Sequence, residues 1–344
     1  MTTAKIRSLA ALALPVVFVL IWSSGYLVGS VGAKAGPPLG LLAWRFLIAV
    51  TVLGLISLAT RAPWPTEPRV YLHLLAIGIL LQTVQFAMLY LALGMGVPAG
   101  LSSLILSACP LIVAAAAVPL FSERLTRIQW IGLALGLVGV GISLSEKLSG
   151  GGHLAGYALV GLALVGFAAG TLYQKKVGLK VDLRTGTTVQ LAGAMVTTIP
   201  LALVHGGMHL PLTFPALGSL AWLATVNSIG SFTLLFILLR MRSGGAATSL
   251  LYLVPPVTAI LGVPLLGQAV SWSVFAGMAV SGIGVVMVLR SGRTEPDQEA
   301  KPDQEAKPEQ GAGPDTESAP ATTAHSPHVE RTEPVRDYAR SAHR

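Results

Sequence analysis

Along the first 290 residues, apolar runs of about 18 to 25 residues alternate with short polar breaks. The runs fall at approximately 9–31, 39–59, 71–93, 97–120, 128–145, 154–174, 185–204, 216–239, 246–266 and 271–289, and the shortest break is at 94–97. A helix of about 20 apolar residues crosses the ~30 Å hydrocarbon core of a bilayer. The pattern therefore predicts an all-α polytopic membrane protein with ten transmembrane helices. The lack of charge agrees. Four acids, Glu67, Glu123, Glu146 and Asp182, are the whole acidic complement of these 290 residues, too few for the surface of a water-soluble domain.

The pattern stops near Arg290. Residues 291–344 hold eleven of the fifteen acids and seven of the twenty-three bases, with almost no large apolar side chain. They contain an approximate hexad repeat, Glu295-Pro-Asp-Gln-Glu-Ala, then Lys301-Pro-Asp-Gln-Glu-Ala, then Lys307-Pro-Glu-Gln-Gly-Ala. Such a segment cannot bury enough apolar area to offset its ordering entropy, so it is expected to be a disordered, solvated tail.

The net charge of +8 would suggest a nucleic-acid partner in a soluble protein. Here the bases sit between spans, where they face lipid headgroups and set orientation. Breaks on the amino-terminal side hold Lys5, Arg7, Arg61, Arg69, Arg124, Arg127, Lys175, Lys176, Lys180, Arg184, Arg240, Arg242, Arg290 and Arg293, and the opposite breaks hold only Lys34 and Lys147. Fourteen against two places both termini in the cytoplasm of a multi-pass plasma (inner) membrane protein. An odd number of added or missing helices would destroy this asymmetry. Cys109 is the only cysteine, which excludes a disulfide and a cysteine metal site. The first run is too long for a signal-peptide core and reads as a retained helix.

The chain also repeats itself. At an offset of 145 residues Gly25 falls on Gly170, Gly100 on Gly245, Pro110 on Pro255, Pro119 on Pro264, Gly132 on Gly277 and Gly139 on Gly284. Pro and Gly fix kinks and close crossings in membrane helices, so shared positions imply shared helix shapes. Five spans per repeat is an odd number, so the halves at 9–145 and 154–290 should be inverted relative to one another. That is a plan of secondary transporters, with the substrate near the midplane between the halves.

The runs Trp22-Ser-Ser-Gly-Tyr-Leu-Val-Gly, Gly36-Pro-Pro-Leu with Trp44-Arg45-Phe46, and Ser122-Glu123-Arg-Leu-Thr with Gln129, Gly132 and Gly139 resemble the EamA-type family of the drug/metabolite transporter superfamily. The resemblance covers about residues 10–290 and ends in Leu265-Leu-Gly-Gln268 through Gly284; Gln268 stands where the family commonly has Glu. It implies two five-helix repeats and movement of small metabolites, amino acids and their relatives being the preferred guess.

Polar side chains inside the spans are the candidates for chemistry, because burying them in lipid is costly. Arg45 lies about six residues into the second span, roughly 9 Å deep. It either snorkels to the headgroups or faces a cavity and attracts a carboxylate. Its repeat counterpart is neutral Gln190. The offset pairs Gln82 with Asn227 and Thr83 with Ser228 near mid-depth, as substrate ligands or as glue between helices. Trp22, Tyr26, Gln85, Tyr90, Ser102, Ser103 and Tyr252 could complete a cavity wall, although for Tyr90, near the outer end of its span, anchoring at the interface is the favoured reading. Glu123 is expected in an ion pair beside Arg124 and Arg127, or as a cap for the next helix. Pro110 and Pro255, with Pro119 and Pro264, should kink the fourth and ninth helices and either gate or shape packing.

Small multidrug exporters of the superfamily carry a membrane-embedded Glu in the first helix. This first helix has none and neither has the sixth, so facilitated diffusion or exchange is favoured over proton antiport. An intramembrane enzyme would need acids or a metal site beside His73, His153, His205 or His209, and the spans supply none. No phosphate-binding Gly-x-x-x-x-Gly-Lys loop is present for ATP. A channel remains the third reading, although inverted halves suit alternating access better. No cofactor or metal is expected; the partners are a small-molecule substrate and lipid, and a homodimer is left open.

Overall fold

The computed structural model describes residues 3–149, 154–231, 234, 237–238, 250–268 and 271–291. The expected tail (Ser291 apart), His153, Arg240 and Arg242 lie outside them. Every described element is helical. The helices are α1 (Thr3–Ala35), α2 (Pro38–Ala59), α3 (Pro68–Gly94), α4 (Ala99–Phe121), α5 (Arg127–Ser149), α6 (Leu154–Val177) and α7 (Leu183–Val204). They continue with α8 (Phe214–Ala221, running on as a π-helix over Trp222–Gly230), α9 (Leu250–Leu266) and α10 (Trp272–Ser291). The first seven hold segments long and apolar enough to cross a bilayer, and Leu250–Leu266 and Trp272–Val288 are shorter apolar helices. The chain is an integral membrane protein. Its outer surface carries Leu55, Leu58, Trp130, Ile131, Leu162, Val165, Val196 and Leu203 exposed, a load of apolar surface that only lipid tolerates.

Ends and irregularities fall where the sequence breaks its own rules. The α3–α4 link is the short stretch 95–98, closed by Gly96 at φ +94°, a conformation that strains any other residue. α4 breaks at Ala108, splitting into Ala99–Ser107 and Cys109–Phe121. Pro110 explains the break: it has no N–H, and its ring clashes with the carbonyl one turn back. It therefore sits in the first turn of the new segment, where neither defect matters. α9 repeats the device, with a 3₁₀ turn at Leu250–Leu253 and then Val254–Leu266, Pro255 in its first turn.

More of this geometry recurs at the 145-residue offset. Cys109–Phe121 corresponds to Val254–Leu266 residue for residue, and the left-handed cap Ser122 (φ +56°) to Gly267 (φ +63°). The π-helical turn Ile79–Val84 in α3 corresponds to the interior of the π-helix Trp222–Gly230.

α5 and α10 pack antiparallel with reciprocal contacts. A β-carbon on Gly132 would lie 2.6 Å from the Gly284 carbonyl oxygen, and one on Gly139 2.5 Å from that of Gly277. Gln129 Nε2 donates to the Val288 carbonyl (3.5 Å) and Ser143 Oγ to that of Val274 (3.4 Å). In each case, residue i meets the offset image of j while j meets the image of i, which is the arrangement a two-fold axis imposes.

Two faces of the bundle follow from the loop contacts. On one, Thr185 Oγ1 donates to Pro63 O and Lys175 pairs with Glu123. On the other, Trp44 Nε1 donates to Met208 O at 2.8 Å, and Gly36 lies against Pro211. Arg61, Arg69, Arg124, Arg127, Lys175, Lys176, Lys180 and Arg184 all belong to the first face. There Asp182 caps α7 by accepting from Arg184 N, and the Arg184 guanidinium beside it holds its carboxyl below the usual carboxylate range.

Glu123 does not cap α5. Thr126 N donates to Gln129 Oε1 (2.8 Å) and Gln129 N to Thr126 Oγ1 (3.3 Å), a reciprocal capping box. Glu123 instead reaches across to Lys175 on α6 rather than to Arg124 or Arg127. The shorter side chain of Thr126 sits at the correct offset before Gln129, and Glu123 is three residues too early. Thr126→Ala is expected to cost about 1 kcal/mol of stability, measured as thermal unfolding in detergent.

Candidate functional site

Arg45 sits in the first half of α2 and is 4% exposed. It does not snorkel. Its guanidinium points into the bundle, where Nη1 donates to Tyr90 Oη (2.8 Å), Nε to Ser228 Oγ (3.1 Å) and Nη2 to Asn227 Oδ1 (3.2 Å). The cation also stacks over the Phe86 ring, 4.7 Å from its centroid. Three of the five guanidinium N–H donors are thus engaged, and among the described residues no carboxylate faces it; the ion pairs described are Glu123–Lys175 and Asp182–Arg184, both at loops. A buried charge is costly unless paired. This one is held by neutral dipoles and a π-face, with two donors left for something that the described residues do not provide.

The local folds explain how these groups meet. Phe86 and Tyr90 are one turn apart on α3 and share a face; Phe86 also packs edge-on against Phe46 of α2. Asn227 and Ser228 lie in the π-helix, which widens the helix by one residue per turn and is frequent at functional positions. Ser228 Oγ bonds back to the Leu223 carbonyl, and Asn227 Nδ2 donates to Ile21 O (3.1 Å) across the interface with α1. Gly25 is what permits that approach: a β-carbon there would lie 2.6 Å from Asn227 Nδ2. Tyr90, expected as an interfacial anchor, is 1% exposed; Arg45 needed an internal acceptor, and the phenol supplies it. Removing that acceptor in Tyr90→Phe is expected to leave the fold intact and weaken substrate affinity about ten-fold or more, the lower end of the loss for one hydrogen bond to a charged group, read as KM for uptake.

The offset pair Gln82 and Asn227 occupies equivalent π-helical turns, in different surroundings. Asn227 belongs to the Arg45 cluster. Gln82 is buried, as is Gln85, in the stretch that packs on α6 and α7. Its neighbour Thr83 pairs with Thr197 Oγ1 (2.7 Å), so the neutral half has a hydroxyl contact where the other half has the cation. Gln190, the image of Arg45, lies with its backbone against Gly78.

The remaining candidates line the packing between α1, α4 and α9. Trp22 packs on Phe18 with the rings tilted (centroids 5.4 Å apart) and is half-buried, as are Tyr26 and Tyr252. Ser103 bonds its own helix at Gly100 O, while the buried hydroxyl of Ser102 has no partner among the described residues. His73 Nδ1 bonds Tyr173 Oη (2.7 Å), His205 and His209 stand at the opposite face, and among the described residues no group of His, Cys, Asp and Glu could hold a metal. Sequence reasoning missed Phe86, legible one turn before Tyr90, and Trp222, whose Nε1 donates to Ser24 Oγ (2.8 Å).

Among known proteins, the chain is 29% identical over 278 residues to the "uncharacterized inner membrane transporter YedA" of Escherichia coli K12, covering 78% of this chain and 87% of that protein. It is 29% identical over 286 residues to a "probable amino-acid metabolite efflux pump" of Salmonella typhimurium, covering 80% and 91%. One crystal structure superposes with a TM-score of 0.58 at 19% identity, over 83% of this chain and 97% of that one, a likeness of fold. The profile of the EamA-like transporter family matches twice, at residues 9–145 and 154–290. The chain belongs to the EamA-like transporter family.

Proposed function

We propose that this protein is a secondary transporter of the plasma membrane that exports or exchanges small metabolites bearing a carboxylate, amino acids or their relatives, by alternating access. The observation that carries the reading is the buried Arg45, held by Tyr90, Asn227, Ser228 and Phe86 with no acid of the described residues facing it. A carboxylate accepting its two remaining donors would complete a charge-assisted pair in a low-dielectric site. Ten spans form two inverted five-helix repeats, residues 9–145 and 154–290. The reciprocal antiparallel seam of α5 and α10 supports this arrangement, as do the recurring π-turns and left-handed caps. The arginine-rich face is cytoplasmic, as are both termini. The amino-acid preference draws on the printed name of the Salmonella relative. With no acid within the spans, the carrier works by facilitated diffusion or exchange.

Purified protein in sealed liposomes tests this. Radiolabelled amino acids should show saturable uptake and counterflow, with neutral non-carboxylate analogues competing at least ten-fold less well. Uptake that never saturates and lacks counterflow would identify a channel. The two amides separate within the same assay: Asn227→Leu should raise KM strongly, while Gln82→Leu should act through the neutral half. If both carry substrate normally, neither amide belongs to the site.

A further inference from the structure

The pairing of Glu123 with Lys175 joins the two halves, and the 145-residue offset gives it a counterpart position at the other face. Glu123 closes α4 and Lys175 lies in the last turn of α6, with Lys175 Nζ 2.5 Å from Glu123 Oε1 and 5.0 Å from the centre of the Phe121 ring. At the 145-residue offset these three positions become Gln268, Ser30 and Leu266, on the opposite face. There the contact is missing. Gln268 folds back on its own helix, its Oε1 against Gly262, and the buried Ser30 hydroxyl has no partner among the described residues. Ser30 and Leu266, with Lys34 and Pro215, line a cleft of about 380 Å³. One face is bolted by a cation shared between a carboxylate and a ring; the image positions on the other border an open recess.

We propose that Glu123, Lys175 and Phe121 form a cytoplasmic latch whose absence from the outer face biases the carrier toward its outward-open state. The proposal rests on the alternating-access reading. In a carrier built from inverted halves, the inward-open state is reached when the halves exchange arrangements. The α4–α6 contact must then part while the α9–α1 contact closes. Closing one side gains an ion pair and a cation–π contact, and closing the other gains neither, so the two states are unequal by the worth of the latch. Lys175 and Glu123 are 47% and 44% exposed, and exposed pairs are weak and salt-screened. The bias is accordingly about two- to five-fold in population, enough to set which side usually meets substrate while leaving the cycle reversible.

The test uses the full chain in inside-out membrane vesicles and an impermeant methanethiosulfonate reagent. Two reporters are read: Cys109, the sole native cysteine, buried beside Thr171, and Thr171→Cys in a Cys109→Ser background, one turn deeper than Lys175. Glu123→Gln and Lys175→Gln should each speed labelling from the cytoplasmic side about two- to five-fold. The charge swap E123K/K175E should return it part of the way to the parental rate, because it restores the ion pair without the cation over Phe121. E123Q/K175S, which writes the outer pair onto the inner gate, should be the fastest. Raising ionic strength should speed labelling of the parent and leave E123Q unchanged, a response that a merely packing role would not give. Unchanged rates at both reporters in both neutral variants, with counterflow retained, would overturn the latch alone. Loss of the alternating-access reading would show separately, as a parent protein without counterflow.

Discussion

Replacing Arg45 by Gln should cut transport of carboxylate-bearing substrates by about ten- to one-hundred-fold, the loss expected for hydrogen bonds to a charged group in a buried site. Neutral analogues should lose far less. The variant should still fold, because Gln keeps a donor for Tyr90 Oη or Asn227 Oδ1 and removes a charge that no acid of the described chain faces. Its thermal stability should equal or exceed that of the parent, since the protein no longer buries an unpaired cation. Arg45→Lys should rescue little: a compact ammonium on a flexible stem cannot serve three separate acceptors and also sit over the Phe86 ring as the guanidinium does. Uptake into liposomes for an anionic and a neutral substrate, at matched protein, decides the matter. Equal losses for both substrates would make Arg45 a structural strut.

Gly139→Leu should be the most damaging single change outside the site. The α5–α10 crossing brings main chains together, and a β-carbon on Gly139 already meets the Gly277 carbonyl oxygen at 2.5 Å and the Cα of Ser281 at 2.8 Å. These are backbone atoms, which cannot swing aside as a side chain would. Overpacking of this kind costs about 1–3 kcal/mol even where side chains can adjust, and more is expected here. Gly141, two residues away on the same helix, has nothing within 4 Å of the same probe. Gly141→Leu should therefore leave unfolding temperature and membrane abundance within error of the parent. Similar behaviour of the two variants would refute the close crossing.

How much of this was legible in the residues depends on the kind of interaction. The helices were, because lipid forces every span to be long and apolar, and α1 to α7 hold segments of spanning length. The break in α4 was legible at Pro110 because a missing N–H acts locally. What stayed hidden were contacts fixed by tertiary geometry. Arg45 offered two readings of equal standing, as a six-residue depth suits both snorkelling and burial. Only the positions of Tyr90 and Ser228 show which acceptors draw it inward. Tyr90 is ambiguous for the same reason: depth along a helix says nothing about which way a ring faces, and the structure turns this one inward instead of to the interface. Glu123 had two bases close in sequence, yet its partner lies 52 positions away, on a helix that the pattern could count but could not place.

The glycine seam has a mechanical consequence. At this crossing the neighbours are peptide groups with no rotamers to reshuffle. Two helices joined main chain to main chain have nothing to slide on, so α5 and α10 should travel as one strut whatever the other helices do.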